Sequence, residues 1–260
     1  MNLLDVKFSK LKKKNEGALI AYFPLGEVGF NTIELARTYI DNGVDILEIG
    51  FPVETPYLDG KVVSDSMKRI LNNDFEVQGF FDEIKKIRRE FKDQPLEVFA
   101  YTSVFEQISM EDFLSLCENS GVDSVLFVGA DNLKMKELST VIPPSIYNLW
   151  FVPYNYSEDY INEVKDSAKG YIFLQATDGV TGARNELESG LKDIIRETKK
   201  KLDNIPICPG FGISNADHCK QIKEMGADGV IIGSSLLKFL VTHSLEETGS
   251  FIKELKSALK

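Results

Sequence analysis

The phrase Gly-x-Asp comes round three times in this chain of 260 residues, as Gly43-Val44-Asp45, Gly121-Val122-Asp123 and Gly226-Ala227-Asp228. Each time it follows an amphipathic stretch and leads straight into a short apolar run. Glycine suits the left-handed position that ends a helix, so the phrase reads as one helix-to-strand connection used repeatedly. Around it, β-rich runs at 19–25, 46–51, 97–102, 124–128, 149–153, 171–176, 205–209 and 229–232 alternate with helical spacing along the whole sequence. Strands joined through helices run parallel, and their near-continuous hydrophobicity suits strands covered on both faces. Eight such units close most naturally into a (β/α)8 TIM barrel, the α/β fold expected here. Residues 3–14 are predicted to add an extra N-terminal helix that caps the barrel bottom.

The length matches one such barrel and no Pro/Ser linker interrupts it, so residues 1–260 are expected to form a single domain. Asn31 with Glu34, and Ser214 with Asp217, look like capped helix starts. Forty acidic against thirty basic side chains leave a formal charge of −10, which on average repels nucleic acid and anionic membranes. Cys117, Cys208 and Cys219 lack CxxC spacing and mostly lie in apolar contexts, as structural thiols of a reducing compartment do. No apolar stretch reaches the ~18 residues of a membrane span, and the N-terminus lacks a signal-peptide core followed by a cleavage site. A cytoplasmic location is therefore expected. His218 and His243 have charged surroundings and no ligand-spaced companions, so both are expected at the surface and no metal site is expected. Trp150 is expected to pack between barrel and helices.

A barrel of this kind carries its chemistry at the C-terminal ends of its strands and in the loops that follow. In Ile46-Leu47-Glu48-Ile49 a carboxylate interrupts an apolar strand, where an unpaired charge is costly unless something uses it. Asp59 follows in the next loop, so the two acids form a candidate proton-transfer pair at a strand end and a loop. After the last two strands come Pro209-Gly210-Phe211-Gly212-Ile213-Ser214 and Gly233-Ser234-Ser235. Gly212 and Gly233 let the backbone approach an anion, and Ser234 offers a hydroxyl beside a helix N-terminal amide. Together they predict a phosphate cup. On these residues alone Glu48 could still be a structural acid, and Asp59 before Gly60 a plain turn.

The motifs GVDILEIGFP, LDG at 58–60, GVTGAR, PGFGIS and GADGVIIGSSL occur in an order and spacing that resemble the tryptophan synthase alpha subunit family over nearly the full chain. That resemblance implies retro-aldol cleavage of indole-3-glycerol phosphate to indole and glyceraldehyde 3-phosphate in L-tryptophan biosynthesis, with no cofactor in this subunit. It also implies a tryptophan synthase beta subunit as partner, in an alpha2beta2 complex. By position, Glu48 corresponds to the acid/base catalyst and Asp59 to its partner at the indole nitrogen. Tyr22, Phe99, Tyr101 and Phe173 fall where the family lines its indole pocket. Thr181 and Gly182 fall in its lid, and Gly212, Gly233 and Ser234 in its phosphate site.

The chain also departs from the pattern. The family's PFSDP becomes Pro52-Val53-Glu54-Thr55-Pro56, ADGP becomes Leu58-Asp59-Gly60-Lys61, and GDP becomes Gly26-Glu27-Val28. After the fourth strand the chain reads Val128-Gly129-Ala130-Asp131, and after the sixth Ala176-Thr177-Asp178. Both acids survive, and the changes bear on the lid and on the contact with the beta subunit. Two other readings follow: a catalytically weak barrel that mainly binds and activates a beta subunit, or another phosphosugar barrel enzyme that shares the cup and does not need the acid pair.

Overall fold

A computed structural model describes residues 1–177 and 187–260. The chain opens with α1 (Leu3–Lys14) and then alternates: β1 (Ala18–Phe23), α2 (Thr32–Asp41), β2 (Ile46–Gly50), α3 (Lys61–Leu71) and α4 (Val77–Glu90), β3 (Leu96–Tyr101), α5 (Met110–Ser120), β4 (Ser124–Val128) and α6 (Asn132–Val141). It continues through β5 (Tyr147–Val152), α7 (Glu158–Ser167), β6 (Ile172–Gln175), α8 (Leu191–Leu202), β7 (Ile207–Gly210), α9 (Ala216–Glu224), β8 (Gly229–Ile232), α10 (Ser234–Leu240) and α11 (Leu245–Ser257). The strands lie in the order β7-β6-β5-β4-β3-β2-β1-β8, and each hydrogen-bonded pair is parallel. The Asp228 amide donates to the Ile207 carbonyl at 2.9 Å where β8 comes back beside β7. The result is the expected eight-stranded barrel, nearly closed, with helices outside. Every residue of β1, β2, β3 and β4 is buried, as strands covered on both faces must be.

The predicted runs and the observed strands differ by one or two residues at several ends, the seventh among them. It starts at Ile207 and not at 205, because Asp203 and Asn204 hold positive φ in a tight turn and Pro206 has no amide to give to a ladder. The fifth starts earlier than expected, at Tyr147. The extra helix is present: Leu4, Phe8 and Leu11 of α1 are buried, and the Phe8 ring lies 5.8 Å from that of Tyr171.

The recurring Gly-x-Asp phrase makes one device three times. Gly43, Gly121 and Gly226 all hold positive φ, at 111°, 81° and 101°, so the chain can leave its helix and turn back into the barrel. Each aspartate then grips a single residue of a neighbouring strand from both sides. The Asp45 amide donates to the Leu19 carbonyl at 2.8 Å while its carboxylate accepts from the Leu19 amide at 2.9 Å. Asp123 does the same to Leu96, and Asp228 to Ile207. A cation completes each grip: Lys256 at 2.7 Å on Asp45, Arg88 at 2.6 Å on Asp123, and Lys199 at 2.9 Å on Asp228. These clamps ring the bottom of the barrel.

Asn31 caps α2 as expected, its side chain accepting from the amides of Ile33 and Glu34. The cap of α9 falls one residue later than predicted, on Asn215, whose side chain accepts from the His218 amide at 2.9 Å. His218 itself is 3 % exposed, which corrects its expected surface position. The helical period carries it onto the inward face with Cys219 and Ile222. His243 is exposed and stacked on Phe239. All three cysteines are buried and free, and Trp150 packs edge-on against Tyr160 of α7. Among the described residues no helix is long and apolar enough to cross a membrane.

Candidate active site

Glu48 is the middle residue of β2, not its end, and its register partners are Tyr22 on β1 and Glu97 on β3. It is 4 % exposed, and its Oε1 has no hydrogen-bond partner. Burial, reinforced by the neighbouring Glu97 and Asp59 carboxyls, pushes Glu48 well above the usual carboxylate range. An acid placed this way favours its protonated form, with an oxygen that no group among the described residues engages.

Asp59 reaches the same cavity from the loop between β2 and α3. Its amide closes a turn onto the Pro56 carbonyl at 3.0 Å, and Gly60 begins α3 directly after it. Tyr101, the last residue of β3, donates its hydroxyl to Asp59 Oδ2 at 2.7 Å. Ser64 holds the Asp59 carbonyl at 3.2 Å. The loop acid is thus fixed from both the barrel and the following helix.

Between the acids and the last two strand ends lies a cavity of about 30 Å³. Glu48 and Asp59 line it on one side, with Tyr22, Phe99 and Phe173 as aromatic walls. Gly212, Gly233 and Ser234 line it as well. The structure therefore brings together the predicted residues that it describes, with one qualification of role: Tyr101 acts on Asp59 and does not line the cavity. Thr181 and Gly182 lie outside the described residues, as does Asp178.

Tyr22 is 3 % exposed and its hydroxyl lacks a partner. It occupies its place because Gly50 has no side chain; a Cβ there would stand 2.3 Å from the Tyr22 hydroxyl. Burial raises this phenol well above its ordinary value, so it stays neutral.

Sequence reasoning missed Val63, Phe211, Ile213 and Ile231, which also line the cavity. Phe211 carried a signal: a bulky residue between two glycines. It holds φ +74° and packs 5.6 Å from Phe173. Such a backbone persists only where its surroundings enforce it. Also missed was Glu97, fully buried, whose Oε2 accepts from Tyr171 at 2.7 Å. The signal was the one that exposed Glu48: an acid inside an apolar strand.

A buried proton donor and a tethered loop acid, facing glycine turns at the C-terminal mouth of a (β/α)8 barrel, define a class of barrel enzyme that moves protons on a small anionic substrate. The particular family follows from comparison with known proteins. The family model described as tryptophan synthase alpha chain matches residues 8–259. The tryptophan synthase alpha chain of Actinobacillus pleuropneumoniae is 31 % identical over 268 residues, with 100 % of each chain covered. That of Aquifex aeolicus is 30 % identical over 265 residues, again with full coverage of both. Among solved structures, a chain from Aquifex aeolicus superposes with a TM-score of 0.91 at 27 % identity, covering 100 % of both chains. The tryptophan synthase alpha chain of Legionella pneumophila gives 0.88 at 22 % identity, covering 100 % of this chain and 97 % of its own. This chain belongs to the tryptophan synthase alpha chain family, the lyase subunits that cleave indole-3-glycerol phosphate in tryptophan biosynthesis and partner with a beta subunit.

Proposed function

We propose that the chain carries out its family's retro-aldol reaction with Glu48 as the proton-transfer catalyst and Asp59 as the group that holds charge at the ring nitrogen. One observation carries the assignment: Glu48 is a buried carboxyl with an unpartnered oxygen, on the same cavity as an acid tethered by Tyr101.

The chemistry requires such a pair. Carbon 3 of an indole leaves poorly until it is protonated, so an acid first converts the ring to its indolenine form. Glu48, protonated at neutral pH, gives that proton. The bond from carbon 3 to the glycerol chain then breaks, its electron pair returning to the ring as indole re-forms. The adjacent hydroxyl becomes the aldehyde and passes its proton to the Glu48 carboxylate, which restores the acid. Asp59 meanwhile stabilises the positive charge that develops at the ring nitrogen. Tyr22, Phe99 and Phe173 supply the walls for the ring, and Gly212, Gly233 and Ser234 the contacts for the phosphate. Thr181 and Gly182 are assigned to the lid from the sequence.

The beta subunit is assigned to the rim of this mouth, in an alpha2beta2 complex in the cytoplasm. Val28 in the loop after β1, Tyr57 in the loop after β2 and Leu133 at the start of α6 are exposed there, which supports that placement. The purified chain is expected to release indole from indole-3-glycerol phosphate slowly alone and faster with its own beta subunit. No indole under either condition defeats the assignment. No indole in either condition, together with faster turnover of added indole by the beta subunit, favours a barrel that acts mainly as its binding and activating partner.

A further inference from the structure

The reaction as written uses one of two acids that face each other inside the barrel. Glu48 and Glu97 are register partners on adjacent parallel strands, so their side chains leave the sheet on the same face about 4.8 Å apart at the backbone. Glu97 is fully buried and does not line the cavity. It therefore has no direct access to substrate. Two carboxyls so close in a dry interior do not both ionise easily; the pair holds on to a proton.

Which of the two holds it is decided by their surroundings. Tyr171, entering β6 across the barrel, donates its hydroxyl to Glu97 Oε2 at 2.7 Å. Such a donor favours the anion on Glu97. Glu48 Oε1 has no donor. Once the pair has lost one proton, the asymmetry places the negative charge on Glu97 and the remaining proton on Glu48, the acid of the two that lines the cavity. The other groups facing the pair do not compete for that proton: Tyr22 from β1, Tyr171 from β6 and Cys208 from β7 are all held neutral by burial. Asp59, from the loop after β2, faces Glu48 with its carboxylate engaged by Tyr101.

We propose that Glu97 is a positioning residue for the catalytic proton: as pH rises the pair gives up its first proton from Glu97, and the resulting carboxylate, anchored by Tyr171, holds the second proton on Glu48. The inference rests on the lyase reading above and adds a residue to it. Burial raises Glu97 to about 8 even with the Tyr171 hydrogen bond pulling it down, and its closeness to Glu48 makes the two acids titrate as a unit.

The test is the pH profile of kcat for indole release by the wild-type chain and by Glu97→Gln, each with its beta subunit. The amide keeps the shape and an acceptor for Tyr171 and removes the charge. Without that neighbouring charge Glu48 loses its proton sooner, so the basic limb is expected to move to lower pH by about one unit or more. A limb that stays where the wild type has it overturns the proposal. If Glu97→Gln does not fold, Tyr171→Phe reads the same device. Without its anchor the charge redistributes from Glu97 towards Glu48, and kcat on the basic side of the profile is expected to fall severalfold with KM unchanged. An unchanged kcat in that variant overturns the proposal. Failure of the lyase reading is distinguishable, because then the wild type itself releases no indole.

Discussion

Acids at the two levels of this barrel are treated in opposite ways. At the bottom, Asp45, Asp123 and Asp228 each accept from a backbone amide and pair with a lysine or arginine. Higher up, Glu48 and Glu97 each keep an oxygen without a partner. The lower acids are satisfied and hold strands in register; the upper ones are left wanting, and of the two Glu48 lines the cavity. The same side-chain chemistry serves stability or catalysis according to what surrounds its oxygens.

The largest expected effect breaks the upper member of the comparison. Glu48→Gln keeps the shape and cannot cycle a proton, so kcat is expected to fall by roughly 10²- to 10⁴-fold, with substrate binding kept within about tenfold. Its stability in urea is expected to equal or exceed that of the wild type, since a carboxyl without a partner is removed. A stable variant that has lost binding and not turnover would return Glu48 to a structural role.

At the bottom the outcome reverses. Asp45→Ala is expected to cost about 3 kcal/mol of unfolding free energy, because it strands Lys256 and the Leu19 amide. Urea denaturation measures the loss, and kcat at a temperature where the variant is folded should be unchanged.

A third effect is read in pH. Glu97 moves from an ordinary 4.5 to about 8 on folding, so between those values the folded chain keeps a proton that the unfolded chain has released. Stability from this group is full below about pH 4.5 and is lost as pH rises through about 8. The urea midpoint should accordingly be lower at pH 8 than at pH 5.5, with a smaller difference in Glu97→Gln. An equal difference in the two proteins would mean that other groups set the slope.

The smallest effect concerns the tether. Tyr101→Phe removes the hydroxyl that holds Asp59 at 2.7 Å and should lower kcat/KM by about tenfold or less, with little change in stability. A loss as deep as that of Glu48→Gln would make the phenol itself a participant.

The barrel was legible because its signals are local. The Gly-x-Asp phrase, strand composition and helix spacing each follow from a few neighbouring residues, and they err by a residue or two at element ends, as at β7 where Pro206 intervenes. Glu48, Asp59 and the glycine turns were legible because each breaks a local rule or sits in a recognisable motif. What the sequence hid depends on the third dimension. Nothing in the chain announces that Tyr171 crosses the barrel to a residue 74 positions away, or that Tyr101 turns from the ring pocket to Asp59. His218 was misplaced for the same reason. A charged neighbourhood in sequence becomes a buried face once the helix winds.

The N-terminal helix closes the floor beneath all of this, and its Phe8 rests on the ring of Tyr171. Tyr171 is the hydroxyl that grips Glu97, which stands beside Glu48. Through the proposed role of Glu97, the fit of a cork at one end of the molecule reaches the acidity of a group at the other. Substitutions among the first dozen residues, far from any bound sugar, have a physical route by which to retune the enzyme.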